Sequence, residues 1–251
     1  LGKPPKEFKS KSIHQNHNVD VIIVGGGLSG LLAARKFAGT NYDVLLVERE
    51  DALGGVLKNA DKIKSINDQP ADEWLEKTER LIRNSNNIKI LKNTLVTTYN
   101  FSDHLIALED KNVGKPQDNE KPELVLHKIR TRHTILANGH IERFITFRNN
   151  DLPGVMLAAS FEKYLNRYGF VPDESPVIFT NNSSTFSLLK SLTDLGHKPK
   201  AYVDIRDQKS IEKETLDLLE KFNIPFYPKS EVEGCELSLI HISEPTRLVS
   251  I

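Results

Sequence analysis

The chain has 251 residues, with 34 Lys and Arg against 34 Asp and Glu, so its formal charge is zero. This balance argues against a nucleic-acid-binding surface, which usually carries a basic excess, and no apolar run approaches the roughly 20 residues of a membrane span. The single cysteine excludes an internal disulfide framework, a cysteine-rich zinc site and a CxxC redox pair. It also favours a reducing compartment, and we expect a cytoplasmic protein.

The two ends of the chain differ from the rest in composition. Residues 1–18 are polar and basic without an apolar segment, and we interpret them as a linker or the end of a truncated preceding domain. Leu237–Arg247 has the sequence LSLIHISEPTR, which is similar to the conceptual translation of a transposon-type sequencing adapter. The alternative is an ordinary strand followed by a turn at Pro245. We favour the first interpretation and expect 237–251 to be an artefactual tail.

The first predicted element is a buried parallel strand at Val19–Val24, whose sequence VDVIIV is apolar and β-branched. The segment Gly25–Gly30 follows at once and satisfies the pattern GxGxxG. A helix is predicted at Leu31–Ala38, and a second strand at Asp43–Val47 is followed by Glu48. This order is typical of a dinucleotide-binding unit. The alternative, a glycine-rich turn with a purely structural role, does not account for the acid.

Each residue type in this pattern has a chemical reason. Gly25 permits a tight turn, Gly27 lets the backbone approach a pyrophosphate, and Gly30 lets the helix pack closely on the strand. The start of the helix, with Leu28 and Ser29, offers free N–H groups to the phosphates.

The acid after the second strand indicates which nucleotide this unit can hold. The Glu48 carboxylate can accept hydrogen bonds from ribose hydroxyls, with Arg49 beside it. Its charge disfavours a 2′-phosphate, so NADP is not expected here. Both NAD and FAD carry an ADP moiety, and the residues alone leave these two cofactors open.

The middle of the chain predicts one helix and several short strands. The helix spans 70–84 and places Trp74 on its apolar face, as a core residue. The alternating segments after it are predicted to form a small antiparallel sheet with a polar loop at 110–121. These segments are Ile88–Leu91, Leu95–Tyr99, Leu105–Glu109 and Glu123–Arg130.

Two further turns resemble those of the two-dinucleotide-binding flavoprotein superfamily. In that superfamily a Gly-Gly turn like Gly54-Gly55 passes beside the nucleotide, although an ordinary turn is the alternative. The strand ending in Ala137-Asn138-Gly139 resembles the second fingerprint of the superfamily, which usually has Thr where this chain has Asn138. We expect the turn to persist, because Asn tolerates unusual backbone conformations.

The segment Ala137–Gly169 carries the most specific resemblance. It is similar to the α subunits of heterotetrameric sarcosine oxidases and to the large subunits of opine, proline and hydroxyproline dehydrogenases; the resemblance extends over about 19–235. It implies a subunit that binds NAD at Gly25, Gly27, Gly30 and Glu48. It also implies substrate oxidation on a flavin in a partner β-type subunit, further small subunits, and FMN at a subunit interface.

A second βαβ unit is predicted from the strand Pro176–Thr180, the helix Ser183–Leu195 and the strand Lys200–Ile205. Its loop, Asn181–Ser184, has no glycine, so we interpret it as a degenerate nucleotide fold. The predicted fold class is therefore α/β, with an FAD/NAD(P)-binding Rossmann-like fold, an inserted small antiparallel sheet and a partial second Rossmann-like unit. The predicted domains are 19–155 and 156–236.

No catalytic residue can be named from the sequence. Glu142 and Arg143 are more typical of a surface or interdomain ion pair, His140 of a packing role, and no histidine spacing indicates a metal site. Because Cys235 stands alone, we reject a disulfide reductase. The leading hypothesis is the nucleotide-binding part of a multi-subunit amine oxidoreductase. The alternatives are a self-contained FAD-dependent reductase that uses NADH, and a nucleotide-stabilised scaffold without turnover.

Overall fold

The computed structural model describes residues 13–58, 63, 65–100, 103–113, 124–171 and 175–236, together with the backbone of 247–248. These residues form two compact units that divide between His140 and Ile141. This division lies earlier than residue 155, and the assignment of domains as 19–155 and 156–236 stays a prediction. Most of the proposed tail lies outside the described residues.

The first unit is built on a six-stranded sheet in the order β5-β2-β1-β8-β7-β6. The strands are β1 (Ile13–Val24), β2 (Val44–Val47), β3 (Ser65–Ile66), β4 (Gln69–Pro70), β5 (Ile88–Leu91), β6 (Thr94–Asn100), β7 (His104–Asp110) and β8 (Leu124–Leu136). The short strands β3 and β4 pair only with each other. Helix α1 (Leu28–Phe37) follows β1, and helix α2 (Ala71–Arg83) precedes β5.

Strand β1 is longer than the sequence indicated. It begins at Ile13, and its polar first half pairs in parallel with β8, from Ile13 opposite Val125 to Asn18 opposite Arg130. Residues 13–18 are thus part of a paired strand although their side chains are all half-exposed or exposed, and the assignment of 1–18 to a linker or a truncated preceding domain stays a prediction. Residues 1–12 lie outside the described part of the chain.

The antiparallel strands extend the main sheet. Strand β5 pairs in parallel with β2, so its assignment to the antiparallel group was wrong. The predicted strand Glu123–Arg130 and the strand predicted before the turn at 137–139 belong to one continuous strand, β8, which pairs in parallel with β1 and antiparallel with β7. The antiparallel part consists of β6, β7 and β8, and it shares β8 with the parallel part.

Helices cover one face of this sheet because their apolar stripes complete its core. Leu31 and Ala34 of α1, and Trp74 and Ile82 of α2, pack in one cluster with β1 and β2 side chains. A second cluster on other side chains of the sheet includes Ile22, Leu45, Leu105, Ala107 and Ile129. Trp74 is 2 % exposed, which confirms its predicted place in the core.

The second unit contains a three-stranded parallel sheet in the order β11-β10-β9. Its elements are α3 (Ala158–Tyr168), β9 (Val177–Thr180), α4 (Phe186–Asp194), β10 (Ala201–Asp204), α5 (Lys213–Lys221) and β11 (Phe226–Pro228). The two-residue strands β12 (Cys235–Glu236) and β13 (Arg247–Leu248) pair antiparallel. Parallel strands joined by helices confirm the predicted second Rossmann-like unit.

Candidate dinucleotide-binding site

Three segments of the first unit end at the same edge of the sheet. Strands β1, β2 and β8 are parallel neighbours, with Val24 opposite both Val47 and Leu136. The carboxyl ends of such strands are where α/β folds bind ligands. The residues that follow these ends are the predicted site residues of the glycine-rich loop, the acid at Glu48 and the turn at 137–139.

Two glycines of the loop are required by packing. Gly25 has a φ of +105°, and a Cβ there would lie 2.3 Å from the carbonyl oxygen of Ala137. A Cβ on Gly30 would lie 1.8 Å from the carbonyl oxygen of Gly25. The first glycine therefore makes the tight turn and the third lets α1 approach the loop, as their places in the pattern predicted.

Gly27 is different, because space is open beside it. A Cβ on this residue would meet no heavy atom of the surrounding chain within 4 Å, and its φ of −74° is accessible to any residue. Gly27 is also the N-cap of α1, and it supplies no side chain to the helix start. The first N–H groups of a helix have no intrahelical partner, so those of Leu28, Ser29 and Gly30 are available to a phosphate at this opening.

Glu48 is buried and holds the loop. The residue is 8 % exposed, its Oε2 accepts a 2.6 Å hydrogen bond from the N–H of Gly26, and its Oε1 accepts one of 2.8 Å from the N–H of Glu50. A carboxylate offers about four acceptor positions, so two bonds leave capacity for ribose hydroxyls. Arg49 points its guanidinium to solvent, 3.6 Å from the Glu50 carboxylate.

The Gly-Gly turn contacts the loop directly. The N–H of Gly54 donates a 2.8 Å hydrogen bond to the carbonyl of Gly26, and a Cβ on Gly55 would lie 3.0 Å from the Cα of Gly27. Sequence reasoning did not identify Gly26 as a site residue, whereas it expected the Gly54-Gly55 turn to pass beside the nucleotide. The Gly-Gly pair was the available signal, because two adjacent glycines mark a close backbone approach.

The turn after β8 completes the edge. The N–H of Ala137 donates a 2.8 Å hydrogen bond to the carbonyl of Val24, which joins this turn to the start of the loop. Asn138 is exposed, and Gly139 adopts a φ of +70°. The structure thus brings together every sequence-predicted site residue at one edge of the sheet.

Other polar candidates lie elsewhere. His140 is exposed, and the Glu142 carboxylate accepts a 2.8 Å hydrogen bond from the N–H of Ala159 at the start of α3, which is a capping role. Among the described residues, no group of three His, Cys, Asp or Glu side chains is arranged to hold a metal ion.

A hydrogen-bonded chain of side chains crosses three strands of the first unit. Nε2 of the fully buried His127 lies 3.0 Å from Oε2 of Glu109, and its Nδ1 lies 2.9 Å from Nε2 of His17. Because the carboxylate accepts, a neutral His127 donates from Nε2 and accepts at Nδ1. Burial, the charge of Lys89 and His127 itself lower the pKa of His17 from 6.5.

Comparisons with known proteins agree with this geometry. Residues 23–72 match the NAD(P)-binding Rossmann-like domain family. Over 196 residues the chain is 31 % identical to sarcosine oxidase subunit alpha of Corynebacterium sp. (strain U-96), a match that covers 76 % of this chain. The chain spans 19–22 % of the length of the curated sarcosine oxidase subunits that it matches.

Two solved structures share the fold. L-proline dehydrogenase from P. horikoshii superposes with a TM-score of 0.55 at 23 % identity, over 80 % of this chain and 38 % of that one. T. acidophilum thioredoxin reductase superposes with a TM-score of 0.60 at 14 % identity, over 88 % of this chain and 67 % of that one.

Within the described residues, the helices are all too short or too polar to cross a lipid bilayer. The predicted fold class is confirmed. The chain is a homologue of part of sarcosine oxidase subunit alpha, and it contains an NAD(P)-binding Rossmann-like domain.

Proposed function

We propose that this chain is the dinucleotide-binding part of an oxidoreductase subunit of the sarcosine oxidase alpha type. The observation that carries the proposal is the arrangement at Gly27. An open space, the free N–H groups of α1 and the Glu48 carboxylate lie around one strand edge. A pyrophosphate needs the first two features, and the ribose next to it needs the third.

Each site residue then has a role in binding. Gly27 leaves room for the pyrophosphate, and the N–H groups of Leu28, Ser29 and Gly30 donate to its oxygens. Glu48 accepts hydrogen bonds from ribose hydroxyls while it keeps the loop in place. Around them, Gly25 shapes the turn, and the remaining proposed contacts come from Arg49, Gly55, Ala137, Asn138 and Gly139.

We infer NAD as the cofactor, because residues 23–72 match an NAD(P)-binding domain family and the charge of Glu48 disfavours a 2′-phosphate. NAD supplies hydride transfer when bound. The described residues of this chain bind and orient the nucleotide, and we place the oxidation of the amine, sarcosine, on a flavin in a partner β-type subunit. FMN at a subunit interface and a cytoplasmic hetero-oligomer with smaller subunits complete the proposal.

The first test identifies the nucleotide. The purified chain is denatured, and the released small molecule is analysed by mass and by absorbance. We expect NAD, without visible absorbance. Yellow FAD would replace NAD at this site and would favour a self-contained reductase, whereas a protein that binds no nucleotide, even after incubation with NAD or FAD, would contradict the proposal.

A matched pair of variants ties the result to the loop. Gly27→Val places a side chain in the open space and is expected to abolish nucleotide retention, because the pyrophosphate needs that volume. Leu32→Val, on the exposed side of α1, is the control and should retain the wild-type nucleotide content. Equal content in the two variants would show that the loop does not bind the phosphates.

A further inference from the structure

The second unit has its own acid at the corresponding strand end. β9 and β10 are parallel, with Thr180 opposite Asp204 at their last residues. Asp204 is fully buried, and Arg206 occupies both of its carboxylate oxygens. Nε of Arg206 donates to Oδ1 at 3.1 Å, and Nη2 donates to Oδ2 at 2.9 Å. The charge of Asp204 is therefore balanced by Arg206, whereas the hydrogen bonds to Glu48 come from uncharged backbone N–H groups.

The loop before α4 is likewise occupied by the protein's own groups. Oδ1 of Asn182 accepts a 2.8 Å hydrogen bond from the N–H of Ser184, so the side chain caps the helix start. The Ser183 hydroxyl donates to the carboxylate of Glu212 and accepts a 3.0 Å hydrogen bond from Nη1 of Arg206. That same Nη1 lies 4.0 Å from Oε2 of Glu212.

We propose that Glu212 is an internal occupant of an anion subsite formed by Ser183 and Arg206, and that it excludes a phosphate group from the second unit. A carboxylate and a phosphate accept hydrogen bonds from the same hydroxyl and guanidinium donors. Glu212 lies at the start of α5, which follows β10 in the sequence. The second unit thus keeps the donors of a phosphate site, and its own Glu212 carboxylate takes the place of the phosphate.

The charge on Glu212 is stabilised where it lies. The hydrogen bond from Ser183, a backbone hydrogen bond and the charge of Arg206 lower the pKa of this carboxyl group. Glu212 is therefore an anion at neutral pH, as an occupant of this subsite must be. The proposal does not depend on nucleotide binding by the first unit, since its residues all belong to the second.

The test uses inorganic phosphate and the full chain. Glu212→Ala removes the occupant, and Glu214→Ala removes an exposed carboxylate of the same helix start, with the same change in net charge. Phosphate affinity is measured by calorimetry at constant ionic strength. We expect Glu212→Ala to bind phosphate about tenfold more tightly than Glu214→Ala, in line with charge-assisted hydrogen bonds. Any binding to the first unit is common to both variants.

Two more variants make the outcome decisive. Adding Ser183→Ala to Glu212→Ala should return phosphate binding toward that of the control, because a donor is lost. If Glu212→Ala does not fold, Glu212→Asp retracts the carboxylate by one methylene and should still exceed Glu214→Asp in phosphate affinity. Equal affinities within the matched pair, or a Ser183→Ala change without effect, would overturn the proposal.

Discussion

The N–H of Gly26 donates a 2.6 Å hydrogen bond to Oε2 of Glu48, so the loop that we propose to bind the phosphates is held by the residue that we propose to bind the ribose. A Cβ on Gly26 would lie 3.0 Å from that same oxygen. The loop is consequently ordered before a nucleotide arrives, and less conformational entropy is lost on binding. Glu48 therefore orders the loop in the free protein, in addition to the role in ribose binding that we propose for it.

Substitution of Glu48 should lower the stability of the free protein. Glu48→Ala leaves the N–H groups of Gly26 and Glu50 without their acceptor, at a cost of about 1–3 kcal/mol in the free energy of unfolding. Glu48→Gln keeps one acceptor oxygen and should lose less. Denaturant unfolding measures the stability of both Glu48 variants, with Glu76→Gln on the exposed face of α2 as the control. A Glu48→Ala variant as stable as this control would contradict the role assigned to the hydrogen bond.

Substitutions at the third and second glycines of the pattern should differ in their effect on the free energy of unfolding. Gly30→Ala drives a Cβ into the carbonyl of Gly25 and should lower the free energy of unfolding by about 3 kcal/mol. Gly27→Val enters open space and should cost less than about 1 kcal/mol, chiefly as a poorer N-cap. Thermal unfolding of the nucleotide-free variants gives the comparison. The reverse order would mean that the loop adopts another conformation.

The lowered pKa of His17 predicts that the stability of the first unit depends on pH. The pKa of His17 is lowered in the folded state, by burial first and then by Lys89 and His127. The unfolded state therefore binds the proton more readily than the folded state. The contribution of His17 to the free energy of unfolding is present above pH 6.5 and is lost as the pH falls through the folded-state pKa. The free energy of unfolding should therefore drop as the pH falls below 6.5.

His17→Gln tests the assignment, since glutamine does not titrate. The variant should show a flatter pH dependence than His14→Gln, which changes an exposed histidine of the same strand. Equal pH profiles for the two variants would remove His17 as the cause of the pH dependence.

The buried ion pair predicts a large effect in the second unit. Arg206→Ala leaves the carboxylate of Asp204 buried without its guanidinium and should lower the free energy of unfolding by about 3 kcal/mol. Lys209→Ala removes the same charge from an exposed position of this unit and should be nearly neutral. Cys235 supplies the measurement: it is 7 % exposed, and burial raises the pKa of its thiol, so labelling reports opening. Equal labelling rates would contradict the prediction.

Local patterns explain which parts of the fold were predictable. The β-branched run before Gly25 and the acid after β2 are adjacent in sequence to the elements that they define, so the strand, loop, helix and second strand followed from them. The Gly-Gly turn was recognised for the same reason. Predicting these elements requires no information about residues that are distant in the sequence.

Distant pairing explains what was missed. The polar segment 13–18 joins the sheet only because β8 lies beside it, and the contact between His17 and His127 joins residues 110 positions apart. The short apolar strand β5 carries no signal that distinguishes a parallel partner from an antiparallel one. The hydrogen bond between Gly26 and Glu48 was hidden for the same reason, since it depends on how two loops meet in space.

The position of β8 in the sequence has a consequence for biosynthesis. Strand β1 is translated before β8, and this neighbour, which covers one of its edges, ends only at Leu136. Until that residue has been translated, the apolar edge from Val21 to Val24 presents unpaired N–H and C=O groups. The nascent chain therefore passes through a stage in which this unpaired edge can associate with other chains.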